Sequence, residues 1–261
     1  MNIKKFSTRS TLYIAHRGES KSAPENTLES INLAWQNGAD GIEIDVHLSA
    51  DNEIIVNHDK STKRMTGEYR LIRRNNLAEI KKLNIKKNGY GYNYDVKIPT
   101  LIEALKTVPK GKYIFIEVKC GIEILPRLKQ ILKKTSVDVK YIKIISFNLG
   151  VISAIKKALP QYKTLWIMRI GIEKSALFLN GLSSIITKAK QNNIDGLDIS
   201  YSRFFNQKLV EKIQSNNLAL YIWTINNASK AKRLASLKVD GIISDKASEI
   251  KLTCSVTKFQ S

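Results

Sequence analysis

Residues Gly41–His58 read GIEIDVHLSADNEIIVNH, and the join between the two halves of this stretch decides the fold. Over Gly41–Leu48 apolar and polar residues alternate. A side-chain period of two puts Glu43 and Asp45 on one face of a strand and Ile42, Ile44 and Val46 on the other. Glu53–His58 is a second β-branched run, and only Ser49-Ala50-Asp51-Asn52 separates the two. Parallel neighbours need a crossover of roughly a dozen residues or more, so the second run must return antiparallel to the first. The other strand candidates are Thr11–His16, Lys112–Lys119, Tyr141–Ser146, Lys163–Met168, Ile194–Ser200, Leu218–Thr224 and Gly241–Ser244, alternating with helical segments. That alternation is the signature of βα units and a parallel sheet. With the returning strand set aside, eight strands remain. The expectation is an α/β fold, a TIM (β/α)8 barrel, forming a single domain over residues 1–261 with a small insertion after strand two, at about 50–98. An open doubly wound sheet is the alternative. It calls for a glycine-rich phosphate loop after the first strand, and the turn there reads His16-Arg17-Gly18-Glu19 instead.

The helices carry their own start signals. Asn26 with Glu29 resembles a capping box opening a helix that presents Leu28, Ile31 and Trp35 on one face and closes at Gly38. Thr100 with Glu103, just after Pro99, marks a second helix start. The tail from Leu252 onward is read as fraying.

The chain has 261 residues, 43% hydrophobic and 25% charged, which excludes global disorder. No apolar run approaches the roughly 18–20 residues that span a bilayer. Cys120 and Cys254 are too few for a disulfide scaffold and are read as two unpaired thiols. The N-terminus is basic but has no apolar stretch of signal-peptide type, so the expected compartment is the cytoplasm. Lys and Arg number 43 against 23 Asp and Glu, a net charge of +20 that favours anionic partners. The charge is spread along amphipathic segments, with no zinc-finger spacing or RNA-binding aromatic signature beside it. No specific nucleic-acid partner is expected, and weak association with an acidic membrane surface is the most that the charge implies.

Barrel chemistry sits at the C-terminal ends of strands. Glu43 and Asp45 lie there with Cα atoms roughly 6.5–7 Å apart, and on a strand buried by helices they would repel unless a cation lay between them. Tyr113-Ile114-Phe115-Ile116-Glu117-Val118-Lys119 adds Glu117 as a third carboxylate and Lys119 as a phosphate partner. Carboxylate oxygens on rigid strands suit a hard divalent cation, Mg²⁺ or Ca²⁺, with Mn²⁺ as a further candidate. A buried ion-pair network with neighbouring Lys or Arg is the competing explanation. Of the three histidines, His16 ends strand one and His58 closes the returning strand. Two imidazoles converging there can work as general acid and base near neutral pH. His47 lies beyond the acids near the turn and is assigned no role.

These residues, in order, resemble the glycerophosphodiester phosphodiesterases. The resemblance rests on His16-Arg17-Gly18, Ala23-Pro24-Glu25-Asn26-Thr27, Gly41-Ile42-Glu43-Ile44-Asp45-Val46 and His58-Asp59. It continues through Glu117-Val118-Lys119, Ser146-Phe147, Trp223-Thr224-Ile225-Asn226 and Asp240-Gly241-Ile242-Ile243-Ser244-Asp245. It implies a TIM-like barrel and metal-dependent hydrolysis of small glycerophosphodiesters to sn-glycerol 3-phosphate and an alcohol. It assigns His16 and His58 as the acid/base pair and Glu43, Asp45 and Glu117 to the metal. Arg17 and Lys119 then contact the phosphate, and Trp223 lines the pocket. Which histidine is the acid, and whether water or a substrate hydroxyl attacks, stays open. A lysophospholipase D or sphingomyelinase D-like enzyme on the same barrel is the nearest alternative, and a non-catalytic basic binding protein a more distant one.

Overall fold

The structure is a computed structural model that describes residues 10–86, 96–169 and 175–256. Among the described residues nine strands form one sheet: β1 (Leu12–His16), β2 (Gly41–Leu48), β3 (Ile54–Val56), β4 (Tyr113–Val118), β5 (Ile142–Ser146), β6 (Lys163–Met168), β7 (Gly196–Ser200), β8 (Ala219–Trp223) and β9 (Gly241–Ser244). Their order is β1-β9-β8-β7-β6-β5-β4-β2-β3, and β1 also pairs with β2, which closes eight parallel strands into a barrel. β3 hangs outside, antiparallel to β2, with Val46 opposite Val56. The short turn thus does what its length requires, and the (β/α)8 expectation holds.

Strand alternation divides the core into two. Ile42, Ile44, Val46, Ile114, Ile116 and Val118 face outward into the large layer between barrel and helices. Ile14, Phe115, Ile145, Leu165, Ile167, Tyr221 and Ile243 point inward and plug the barrel. β3 is gripped from both sides. Ile54 and Val56 join the main core, while Ile55 packs with Ile72, Ile80 and Ile98 in a small core belonging to the excursion. That excursion between β2 and β4 also carries helices at Lys63–Thr66 and Leu77–Lys81.

Two local expectations need correction. The helix after β1 runs Leu28–Gln36 and its cap is Thr27, not Asn26: Thr27 and Ser30 form the capping box. Asn26 is drawn away because its amide donates to Asp45 Oδ2 at 2.8 Å while its Oδ1 accepts from the Asp45 backbone N–H at 3.1 Å. The tail expected to fray, Leu252–Ser261, is helical as far as Val256, and residues 257–261 lie outside the described residues. Helix Ala247–Val256 continues past Leu252, with Ile250 fully buried and Cys254 against the core beside Tyr13. The Thr100–Glu103 capping box forms as read.

Candidate active site

The site assembles because register and parity agree. His16 lies opposite Glu43, and Asp45 opposite Glu117, all on inward-facing positions at the C-terminal rim. Oxygens of Glu43, Asp45 and Glu117 lie within 4.8 Å of one another, and all three residues are buried, at 2, 1 and 8% exposure. Glu43 Oε1 and Asp45 Oδ1 are buried without a hydrogen bond. Orphaned oxygens of this kind, clustered on rigid strands, fit a hard divalent cation.

The charges in the site shape its protonation. Burial, then Asp45, pushes the Glu43 carboxyl well above its usual range. Burial and Asp45 likewise push Glu117 up, to about 7, although Lys119 opposes them. Burial would raise Asp45 too, but Arg17 and Lys119 outweigh it and leave Asp45 lowered. The surroundings therefore favour the anion at Asp45, whereas burial works against the charged forms of Glu43 and Glu117. Lys119 Nζ lies 2.9 Å from Glu117 Oε1 and 3.3 Å from Asp45 Oδ1. The ion-pair explanation thus holds in part for Lys119 and Arg17, yet it leaves Glu43 Oε1 unmatched and Asp45 Oδ1 without a hydrogen bond.

Arg17 sits at φ 57° and Gly18 at φ 79°, and this pair of left-handed residues turns the chain back onto the site. A Cβ on Gly18 would lie 2.4 Å from the Ser30 hydroxyl, so only glycine fits. The Arg17 backbone N–H donates to Glu43 Oε2 at 3.1 Å. Its guanidinium donates to Glu25 at 2.8 Å and lies 3.2 Å from Asp45.

Both histidines are held by the same device. His16 Nδ1–H donates to Asp245 Oδ1 at 2.6 Å, leaving Nε2 3.9 Å from Glu43. His58 Nδ1–H donates to Asp59 Oδ1 at 2.8 Å, and His58 feels the Asp45 charge although burial lowers its pKa overall. A cavity of about 420 Å³ opens over His16, Arg17, Glu25 and Asp245. A larger one, about 1150 Å³, lies at the opposite end of the barrel among Lys143, Asp195 and Asp240, away from the carboxylates.

Comparison with known proteins agrees with this geometry. Residues 16–249 match the glycerophosphoryl diester phosphodiesterase family. A glycerophosphodiester phosphodiesterase of Caldanaerobacter subterraneus is 34% identical over 240 residues, covering 90% of this chain and 94% of that protein. The chain belongs to the glycerophosphoryl diester phosphodiesterase family. It is accordingly an enzyme, a phosphoric diester hydrolase. An Oleispira antarctica phosphodiesterase, solved with its product sn-glycerol-3-phosphate, superposes with a TM-score of 0.80 at 28% identity, covering 94% of this chain and 97% of that one. The Thermotoga maritima glycerophosphodiester phosphodiesterase gives 0.74 at 25% identity, covering 97% of this chain and all of that one.

Several residues that brace this phosphodiesterase's site are given no role by the sequence, although Glu25, Asp59, Asn226 and Asp245 stand within the motifs quoted above. Asp245 tethers His16 and is itself held by Asn226, whose amide donates to Asp245 Oδ2 at 2.5 Å and whose Oδ1 accepts the Asp245 N–H. Arg64 in the excursion ties Asp59 to Glu25, at 2.6 and 2.8 Å. His47, assigned no role from the sequence, is buried, and its Nε2–H donates to the His58 carbonyl at 3.1 Å. Trp223 ends β8 with its indole N–H donating to the Asp198 carbonyl at 3.3 Å, and its ring faces Phe147 across the mouth. Among the described residues no helix is long and apolar enough to cross a membrane, and both cysteines are free.

Proposed function

We propose that this phosphodiesterase hydrolyses glycerophosphodiesters to sn-glycerol 3-phosphate and an alcohol, with His16 and His58 as the acid/base pair around a divalent cation. The observation that carries this reading is the convergence of three buried carboxylates, two of them with orphaned oxygens, between two imidazoles whose Nδ1 positions are both fixed by aspartates. The sn-glycerol-3-phosphate bound by the Oleispira relative supports the product assignment.

Glu43, Asp45 and Glu117 would hold Mg²⁺, Ca²⁺ or Mn²⁺, which when bound polarises the phosphate oxygens. The chain supplies the rest. Asp245 and Asp59 accept from the Nδ1–H of His16 and His58, which fixes the tautomer and leaves each Nε2 to take or give a proton. One imidazole removes the proton of the attacking hydroxyl, and the other protonates the departing alkoxide, a poor leaving group without it. Arg17 and Lys119 contribute fixed positive charge where the phosphorane's negative charge builds. Trp223 lines the side of the pocket away from the carboxylates. The domain is read as one barrel unit in which the excursion at about 50–98 delivers His58. Free thiols fit a cytoplasmic setting, and the +20 charge fits weak attraction to anionic surfaces rather than a specific nucleic-acid site.

The test is glycerol 3-phosphate release from glycerophosphodiesters, before and after chelation. Activity should vanish with verified metal removal and return with Mg²⁺, Ca²⁺ or Mn²⁺. Full turnover in the metal-free protein would sink the reading. Turnover of lysophosphatidylcholine in place of soluble diesters would favour the lysophospholipase D alternative.

A further inference from the structure

The wall facing the carboxylates is built from aromatic rings and cations. Phe147, directly after β5, is 44% exposed. Its ring meets Trp223 edge-on at 5.7 Å, so the two reach across the mouth from β5 to β8. Each of these rings already bears a cation from the chain. Lys119 Nζ lies 5.8 Å from the Phe147 centroid, and the exposed Arg169 guanidinium 5.5 Å from that of Trp223. The next ring along the rim, Tyr201, carries Lys230 Nζ at 4.8 Å. Lys119 also touches Asp45 and Glu117, so this wall is continuous with the reaction centre. The stretches Phe147–Gly150, Tyr201–Asn206 and Thr224–Lys230 contain no Asp or Glu, whereas Glu173 follows Arg169 by four residues in the sequence.

This arrangement discriminates between headgroups. A quaternary ammonium is normally recognised by open aromatic faces. Here a cation of the protein already lies over each of these rings, and like charge repels the newcomer. An anionic group meets the opposite situation. Arg169 directly follows β6 at the rim and its guanidinium lies over an indole, a placement that limits its freedom while keeping its planar donor fork exposed. Resting on the phosphodiesterase reading above, we infer that Arg169 selects the headgroup, and that the preferred substrates are glycerophosphodiesters whose alcohol carries a second phosphate.

The experiment measures kcat/KM of the full chain, metal-supplemented, with three soluble diesters: a phosphorylated glycerophosphoinositol, neutral glycerophosphoglycerol, and glycerophosphocholine. The wild-type enzyme should favour the phosphorylated substrate over the choline one by about tenfold or more, and added salt should shrink that ratio. Arg169→Gln should lower turnover of the phosphorylated diester by about tenfold and spare glycerophosphoglycerol, with Arg169→Lys recovering part of the loss. Arg169→Glu should tip the preference toward choline. Equal or better wild-type turnover of glycerophosphocholine overturns the inference, as does an Arg169→Gln defect equal for all three substrates. If all three diesters are inert, the phosphodiesterase reading itself fails and the inference goes with it. Normal turnover of the neutral diester separates the two failures.

Discussion

The two sides of the barrel mouth are built to opposite rules. On the side of β9, β1, β2 and β4, side chains are fixed by charged or amide partners: His16 by Asp245, His58 by Asp59, Arg17 by Glu25, and Asp45 by Asn26. The carboxylates there are buried, and their protonation states are pushed apart. On the side of β5 to β8 the cations rest on rings, and a large aromatic stands open to solvent. Making and breaking bonds needs groups held within a fraction of an ångström before the substrate arrives, whereas recognition tolerates a surface that adjusts. Substitutions on the first side should therefore depress kcat for every substrate, and those on the second should act substrate by substrate.

The strongest test of that division is the histidine pair. His16→Ala and His58→Ala should each lower turnover by about 10²–10⁴-fold with circular dichroism unchanged. Because both act on one reaction coordinate, the double variant should fall far short of the product of the two effects. His47→Ala should cost much less, since it supports only the His58 carbonyl. If His47→Ala is the crippled variant and His58→Ala is nearly normal, the site assignment falls.

A middle-sized effect concerns metal affinity. Glu117 titrates at about 7 in the metal-free protein, raised by burial and Asp45, so a proton competes with the metal below that pH. Affinity by calorimetry should climb about tenfold between about pH 6 and about pH 8. The stability of the metal-free protein should move the other way. A carboxyl raised above its usual 4.5 contributes stability at lower pH and loses it as pH rises through about 7. Pushing Glu43 up acts in the same direction. Metal affinity that is flat across this range would show that Glu117 does not coordinate.

The smallest effect belongs to the open side. The Trp166 indole N–H donates to the Phe147 carbonyl at 3.2 Å and steadies the loop that presents the ring. Trp166→Phe should raise KM about threefold and leave kcat alone, the worth of one partly exposed hydrogen bond. A kcat loss equal to that of the histidine variants would erase the distinction between the sides.

What could be read from sequence follows the range of the interactions. Strict alternation from Ile42 to Val46 and from Ile114 to Val118, and the brevity of Ser49–Asn52, are local, and they sufficed to place three acids on one rim and to send β3 back alongside β2. The two tethering aspartates differ in this respect. Asp59 adjoins His58, while Asp245 is separated from His16 by nearly the whole chain, and only closing the barrel brings them together. Arg64 and Glu25 meet in the same way, without any periodic trace. Asn26 was misread because a cap and a strand-bridging amide share one residue type. Its φ of 58° and its bonds to Asp45 show which role it took.

The antiparallel strand outside the barrel has a consequence for anyone who would transplant this chemistry. In most (β/α)8 enzymes the exchangeable part is a strand with the loop and helix that follow it. Here the working complement is stitched across β2, the turn, β3 and the short helix carrying Arg64, because Ile55 is anchored in the excursion's own core and Arg64 reaches back to Glu25. The portable cassette therefore has to run from Gly41 to Ile98 as one piece, since Ile72, Ile80 and Ile98 supply the core that holds Ile55. A graft that ends at the barrel strand inherits the acids and leaves behind His58, one of the two histidines proposed to handle protons.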